Sequence, residues 1–180
     1  MATPYENVVR ELSDALGRPM VLFHSGFATF SNFYLCPFTL DGRTYRTSEQ
    51  FYQSEKAAFF NDHGRAEQIR AEVRPSKCKW LAREIKYFDK GVWQVVARQV
   101  MLRGVLAKFR QNTPARLTLL KTGDALLVEA TPFDTYWANG LHILDDRNKH
   151  QESWRGANVL GGVLMEARDI IRAELSECTV

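Results

Sequence analysis

Residues 31–56 read SNFYLCPFTLDGRTYRTSEQFYQSEK, and the organisation of the chain follows from this stretch. Ser31-Asn32 forms a polar turn. PFTL and RTYR then alternate apolar and polar residues around Asp41-Gly42, a strong two-residue β-hairpin signal. At Thr47-Ser48-Glu49-Gln50 a helix begins. Thr47 is its N-cap and Gln50, three residues on, completes a capping box.

The polar residues of this helix are distributed unusually. At ~100° per residue, Glu49, Gln53 and Lys56 fall in one narrow arc, with Tyr52, Phe59 and Phe60 in or beside it. Gln50, Ser54, Ala57 and Ala58 take the opposite side, with Phe51 as the exception. Burying unpaired charge is costly, so a carboxylate, an amide and an ammonium on an aromatic face should pair with one another or line a pocket. A cap-and-surface arrangement with aromatics packed at its margin satisfies the same spacing.

Around this stretch the chain has 180 residues, enough for one domain with a real core. Its 45% hydrophobic and 25% charged residues are ordinary for a globular protein. The net charge of +3 suits an anionic ligand but is far from that of a DNA-coating protein. Cys36, Cys78 and Cys178 show no CxxC spacing, which argues against disulfides and zinc and for a reducing compartment. No apolar run reaches membrane-spanning length, and no signal-peptide pattern opens the chain. A cytoplasmic setting is expected, or a nuclear one in a eukaryote, with no membrane partner.

Tyr5, Val8, Val9, Leu12 and Leu16 predict a helix over 4–16, part of an N-terminal extension covering 1–20. MVLFHS (20–25) predicts a strand. Short helices are expected over 64–73 and 75–85, and a long one, capped by Asp89, over 90–111, with Trp93, Val96, Val100 and Ala107 as its stripe. Thr113-Pro114 opens another short helix that Gly123 closes. ALLVEA (125–130) is β-like and ends near Glu129. Residues 131–158 lack periodicity, as functional loops do. Asn158 then caps a terminal helix facing the core with Leu160, Leu164, Ala167, Ile171 and Leu175. The expected fold class is α+β: one compact, mostly helical domain over 1–180 with a small hairpin or sheet.

Several chemistries are excluded by missing motifs: GxxxxGK[ST], a GxGxxG opening a helix, HExxH and GxSxG are all absent. His24, His63, His142 and His150 do not cluster, so no metal site is expected. The second informative stretch is LVEATPFDTYW (127–137). There Glu129 and Asp134 bracket a Pro-containing turn beside Tyr136-Trp137, a composition suited to a nucleoside-like ligand. Taken alone, a core Trp137 and a turn-capping Asp134 fit it better.

SNF (31–33), TSEQFYQSEK (47–56), Trp93 ahead of RQVM (98–101), AKF (107–109), LVE (127–129), DTYW (134–137) and GANVLGGVLMEAR (156–168) occur in that order. Together they resemble the NADAR (YbiA-like) family, over about Phe23 to Arg172. The resemblance implies hydrolysis of an N–C1′ ribosyl bond without a cofactor. Substrates proposed for the family are ADP-ribose on the guanine amino group in nucleic acid and ribosylamino-pyrimidine phosphates of riboflavin synthesis. The first is the expectation for this chain and the second the alternative. A non-catalytic module binding ADP-ribose or a related nucleotide is the other class of answer. Two departures stand out. Ala138-Asn139-Gly140 follows Trp137 where Gly-Asp-Gly is expected, and Leu141–Arg155 is longer than in the bacterial riboflavin-associated members.

Beside this resemblance the residues take roles that suit an oxocarbenium-like transition state. Glu49 is the catalytic carboxylate, backed by Gln53. Lys56 binds phosphate, holds Glu49 ionised or attacks C1′ of the ring-opened sugar as a Schiff-base nucleophile. Asp134 joins them, with Asn32 at ribose hydroxyls, and Ser31 and Glu129 line the substrate site. Trp93 and Trp137 suit stacking on a base, although Trp93 also fits a core stripe. Asn158, at a helix N-terminus, suits a phosphate oxygen. Arg147, Lys149 and Arg155 in the long loop offer cations to a nucleic-acid backbone.

Overall fold

The hairpin turns where the sequence places it. In the computed structural model, which describes residues 8–177, Asp41 and Gly42 have φ of 52° and 72°. Two positive φ values are what a type I′ turn needs, and Asp-Gly supplies them cheaply. The turn joins β3 (Phe38–Leu40) to β4 (Arg43–Tyr45), which follow β1 (Val9–Ser13) and β2 (Pro19–Phe23). Next come α1 (Ser48–Phe59), α2 (His63–Ala71), α3 (Pro75–Leu81), α4 (Lys90–Gln111) and α5 (Thr113–Lys121). The last two elements are β5 (Leu126–Glu129) and α6 (Val159–Glu177), giving an α+β, mostly helical chain.

Contacts divide the chain into two compact units, residues 32–115 and residues 1–31 with 116–180. In the first, the hairpin packs its apolar side on α1 and α4: Phe38, Tyr45, Phe51 and Ala107 form one buried cluster. Gln111, at the end of α4, closes the open edge of β3 with its side-chain amide. It donates to the Thr39 carbonyl at 2.7 Å and accepts from the Thr39 N–H at 2.8 Å. A second cluster, including Ala57, Ile69, Cys78 and Ile85, joins α1 to α2 and α3.

The start of α1 is held from both sides. The Thr47 hydroxyl accepts from Gln50 N at 3.1 Å, as a capping box requires. Gln50 does not return the bond to Thr47. Its Oε1 accepts from Arg46 N at 2.7 Å, and its Nε2 donates to the carbonyls of Arg70 and Glu72, both at 2.8 Å. The amide therefore satisfies orphan carbonyls at the end of α2. This is why Gln50 is buried although it lies on the side of α1 opposite Glu49 and Gln53. Every residue from Ser48 to Ser54 is buried.

In the second unit the strand order is β1-β2-β5, with β1 antiparallel and β5 parallel to β2. This corrects the helix predicted over 4–16, of which residues 4–7 lie outside the described region. Residues 9–13 form a strand of the sheet instead. The cause is tertiary. Met20 to Phe23 is a buried strand, and pairing with β5 alone would leave its other edge of N–H and C=O groups unmatched. A short apolar pattern yields to that demand. Two stripes also shift. On α4 Trp93 and Ala107 of the expected stripe are buried, together with Ala97, Met101, Val105 and Lys108, whereas Val96 and Val100 are half-buried. On α6 the buried stripe ends at Ile171, and Leu175 is exposed.

Gly104 marks the closest approach of α4 to α1, since a Cβ there would sit 2.5 Å from Phe51 Cδ1. Phe51 has no room to withdraw, being fully buried. Gly104→Ala should therefore cost about 1–3 kcal/mol by overpacking, read as a lower midpoint in denaturant unfolding. An unchanged midpoint would show that the contact between the helices yields freely.

Candidate active site

In the unit of residues 32–115 the predicted trio runs along one side of α1, from Glu49 in its first turn to Lys56 in its last. Glu49 is 5% exposed, its N–H donates to the Asn32 carbonyl at 3.0 Å, and its carboxylate Oε1 accepts from Gln53 Nε2 at 2.7 Å. A first-turn carboxylate also lies at the positive end of the helix dipole, which favours its ionised form. Lys56, two turns along, is pushed down to about 8. Burial is the larger cause; the Glu49 carboxylate partly offsets it and Lys79 adds to it. The Lys56 ammonium lies 5.1 Å from the centre of the Phe88 ring.

Two acceptors in this group are buried without a hydrogen-bond partner: Asn32 Oδ1 and Gln53 Oε1. Unsatisfied buried oxygens are rare because each forfeits the hydrogen bonds it made in water. Two of them beside a carboxylate that can only accept make a surface suited to donors, such as the hydroxyls of a sugar. The Cys78 thiol is pushed up to about 12 by burial and then by Glu49 and Glu72, so it stays protonated at neutral pH and offers no thiolate.

Trp93 does not serve as a stacking platform. It is 5% exposed and its Nε1 donates to the Tyr52 hydroxyl at 2.6 Å, with the Phe59 ring 5.5 Å away. The position that puts Trp93 on the α4 stripe puts it in the core. Lys108, absent from the sequence-based site, is fully buried and pushed down to about 7 by burial, with the Tyr34 and Phe109 rings 5.5 and 4.9 Å from its ammonium. The available signal was its spacing of seven from Met101 on the same stripe.

In the other unit Ser31 is buried and its N–H closes a turn on the Ala28 carbonyl. Glu129 ends β5, with its N–H bonded to Asn158 Oδ1 at 3.0 Å. Asp134 Oδ1 accepts from the N–H groups of Tyr136 and Trp137 at 3.0 and 2.8 Å, so the carboxylate shapes the turn that presents these two rings. Trp137 is half-buried, 4.9 Å from Tyr136.

Asn158 departs from the phosphate-binding role. Its amide is spent on β5, accepting from Glu129 N and donating to the Leu127 carbonyl at 2.9 Å. The N–H groups of Asn158, Val159 and Leu160 meet the carbonyls of Ala138, Tyr136 and Trp137, so the start of α6 is capped by the DTYWA backbone. Ala138 is fully buried within this cap, and a Cβ on Gly156 would meet its carbonyl at 2.3 Å. Asn139 is fully buried too and donates to Asn148 Oδ1 at 2.6 Å. The Ala138-Asn139 departure from the family pattern is therefore absorbed by packing. In the long loop Arg147 pairs with Asp145, whose carboxyl its side-chain hydrogen bond pulls down to about 2, and Lys149 lies 3.8 Å from Asp146. Their charge is largely cancelled within the loop.

This fold and arrangement place the chain in a known class: the NADAR domain model matches residues 22–172, and the chain belongs to that family. Among its relatives, Protein irg-1 of Caenorhabditis elegans is 33% identical over 174 residues, covering 88% of this chain and 82% of that protein. N-glycosidase YbiA of Escherichia coli (strain K12) is 35% identical over 148 residues, covering 82% and 84%. N-glycosidase R617 of Acanthamoeba polyphaga mimivirus is 33% identical over 125 residues. The NMR structure of the E. coli protein YbiA matches with a TM-score of 0.74 at 32% identity, covering 98% of this chain and 96% of that one.

Two measurements check these placements. Competitive amine labelling followed by mass spectrometry should give Lys56 a half-reaction pH near 8, because a desolvated ammonium loses its proton early; a midpoint above 10 would contradict its burial. Asn158→Ala should lower the melting temperature, since it removes two buried hydrogen bonds and strands their partners at about 1–3 kcal/mol each. An unchanged melting temperature would return Asn158 to the list of ligand residues.

Proposed function

We propose that this protein is an N-glycosidase that hydrolyses an N–C1′ ribosyl bond, with guanine-linked ADP-ribose in nucleic acid as its substrate. The observation that carries the reading is the cluster at the start of α1. It combines a buried carboxylate fixed by Gln53, a lysine lowered to about 8, and the unpartnered acceptors Asn32 Oδ1 and Gln53 Oε1. The naming of several relatives as N-glycosidases supports a hydrolase role.

Cleavage of the C1′–N bond leaves positive charge on C1′ and the ring oxygen, and sends the bonding pair to the departing nitrogen. The ionised Glu49 stabilises that charge and takes a proton from the water whose oxygen bonds to C1′, while the leaving nitrogen gains a proton. Asn32 and Gln53 accept from ribose hydroxyls and hold C1′ over the carboxylate. Lys56, largely protonated at pH 7, keeps Glu49 ionised and offers a cation to substrate phosphate. In the other unit, Asp134 supports the turn carrying Tyr136 and Trp137.

One observation favours a smaller substrate, a ribosylamino-pyrimidine phosphate: Arg147 and Lys149 spend their charge on Asp145 and Asp146. A binding-only module is less favoured, because the Ala138 departure that suggested it is buried in the α6 cap. The test is Glu49→Gln, which keeps the acceptor for Gln53 and removes the charge. Turnover should fall by about 10²–10³, with ligand affinity and melting temperature little changed. Near-normal turnover at unchanged melting temperature would remove Glu49 from the chemistry.

A further inference from the structure

The segment following α2 concentrates the positive charge of the chain. Residues 75–90 hold five cations, Lys77, Lys79, Arg83, Lys86 and Lys90, against Glu84 and Asp89. That excess of three equals the net charge of the full chain, so the remaining residues are neutral in sum. Neither carboxylate cancels it locally: Glu84 pairs with Arg65 of α2 at 3.0 Å, and Asp89 caps α4 by accepting from Val92 N at 2.9 Å. Interleaved with the cations are aromatic rings at the surface, one face of Trp80 carrying the Lys77 ammonium 3.4 Å from its centre and leaving the other face open. Trp80 is 45% exposed, Tyr87 89% and Phe88 44%.

Tyr87 is the most telling of the three. Its φ is 55°, the left-handed region that a bulky side chain occupies only at a cost. Asp62 helps hold this loop, accepting from Lys86 N at 3.0 Å with the carboxylate that also caps α2. The strain presents an aromatic ring almost wholly to water, which folding alone gives no reason to do. Phe88 connects the surface to the site described above: its ring lies 5.3 Å from Phe60 and 5.1 Å from the Lys56 ammonium.

We infer that the exposed rings of Trp80, Tyr87 and Phe88, with the surrounding lysines, bind a single-stranded nucleic acid alongside the Glu49 cluster. Rings that project into solvent stack on unpaired bases, and the base pairs of a duplex offer no such faces. The lysines neutralise the phosphates between those bases. This rests on the reading of the substrate as nucleic acid and supplies the cationic surface that the long loop does not. It names a strand-binding surface for which the unmodified part of the strand suffices.

The test is fluorescence anisotropy with labelled, unmodified single-stranded and duplex DNA of about 15 nucleotides, a length near one binding-site size. It uses the full chain and its Glu49→Gln variant, so binding is read apart from turnover. The single strand should bind both proteins equally and tighter than the duplex, with affinity falling steeply as salt rises. Trp80→Ala should weaken binding about tenfold or more. Tyr87→Gly should do likewise while holding or raising the melting temperature, because glycine relieves the strained φ. Lys86→Gln with Lys90→Gln should flatten the salt slope by roughly one unit or more. Absence of binding at low salt, equal binding of the duplex, an unchanged affinity in Tyr87→Gly, or association with phosphatidylserine vesicles in place of DNA would each overturn the inference. Loss of the proposed hydrolysis in every substrate assay, with single-strand binding intact, would instead strike only the catalytic reading.

Discussion

The first two turns of α1 take a carboxylate and two glutamine side chains out of water, and the unit of residues 32–115 is built around how each is satisfied. Gln50 is saturated: its oxygen takes Arg46 N, and its nitrogen closes the end of α2 on Arg70 and Glu72. Gln53, one turn on, has only its nitrogen engaged. Its nitrogen donates to Glu49 while its oxygen stays buried and unpartnered. Two amides on one helix thus play opposite parts. One is structural and complete; the other is an acceptor held ready beside a fixed negative charge.

That contrast also explains the behaviour of the two lysines. Both Lys56 and Lys108 lose protons early because burial penalises the ammonium. The Glu49 carboxylate partly restores the charge of Lys56, so the pair lies on one helix face with its electrostatics coupled. Lys108 is fully buried among aromatic rings, on the stripe by which α4 packs. A depressed pKa alone therefore does not set the two lysines apart; the electrostatic coupling of Lys56 to Glu49 does.

Features set by neighbouring residues were legible in the sequence. Asp41-Gly42 specifies its turn by φ alone, Thr47 and Asp89 cap by reaching three residues ahead, and the Glu49, Gln53 and Lys56 arc follows from helical spacing. What escaped depends on distant partners. Residues 9–13 became a strand because β2 had an open edge, and Asn158 became a tie to β5 because Leu127 and Glu129 lay within its reach. Gln50 likewise bonds across to α2, which no local capping pattern encodes. The charge of Arg147 and Lys149 was plain in the sequence, while its cancellation by Asp145 and Asp146 required the loop's own turns.

The claim that these features converge on cleavage at C1′ is tested most directly by the fate of a water oxygen. Guanine-linked ADP-ribose in a single-stranded oligonucleotide, incubated with the protein in water enriched in ¹⁸O and sampled before the sugar exchanges, can be followed by mass spectrometry. Release of unmodified guanine together with ADP-ribose carrying one ¹⁸O at C1′ is the expected result. An intact N–C1′ bond, or an unlabelled ADP-ribose product, would contradict hydrolysis at this carbon.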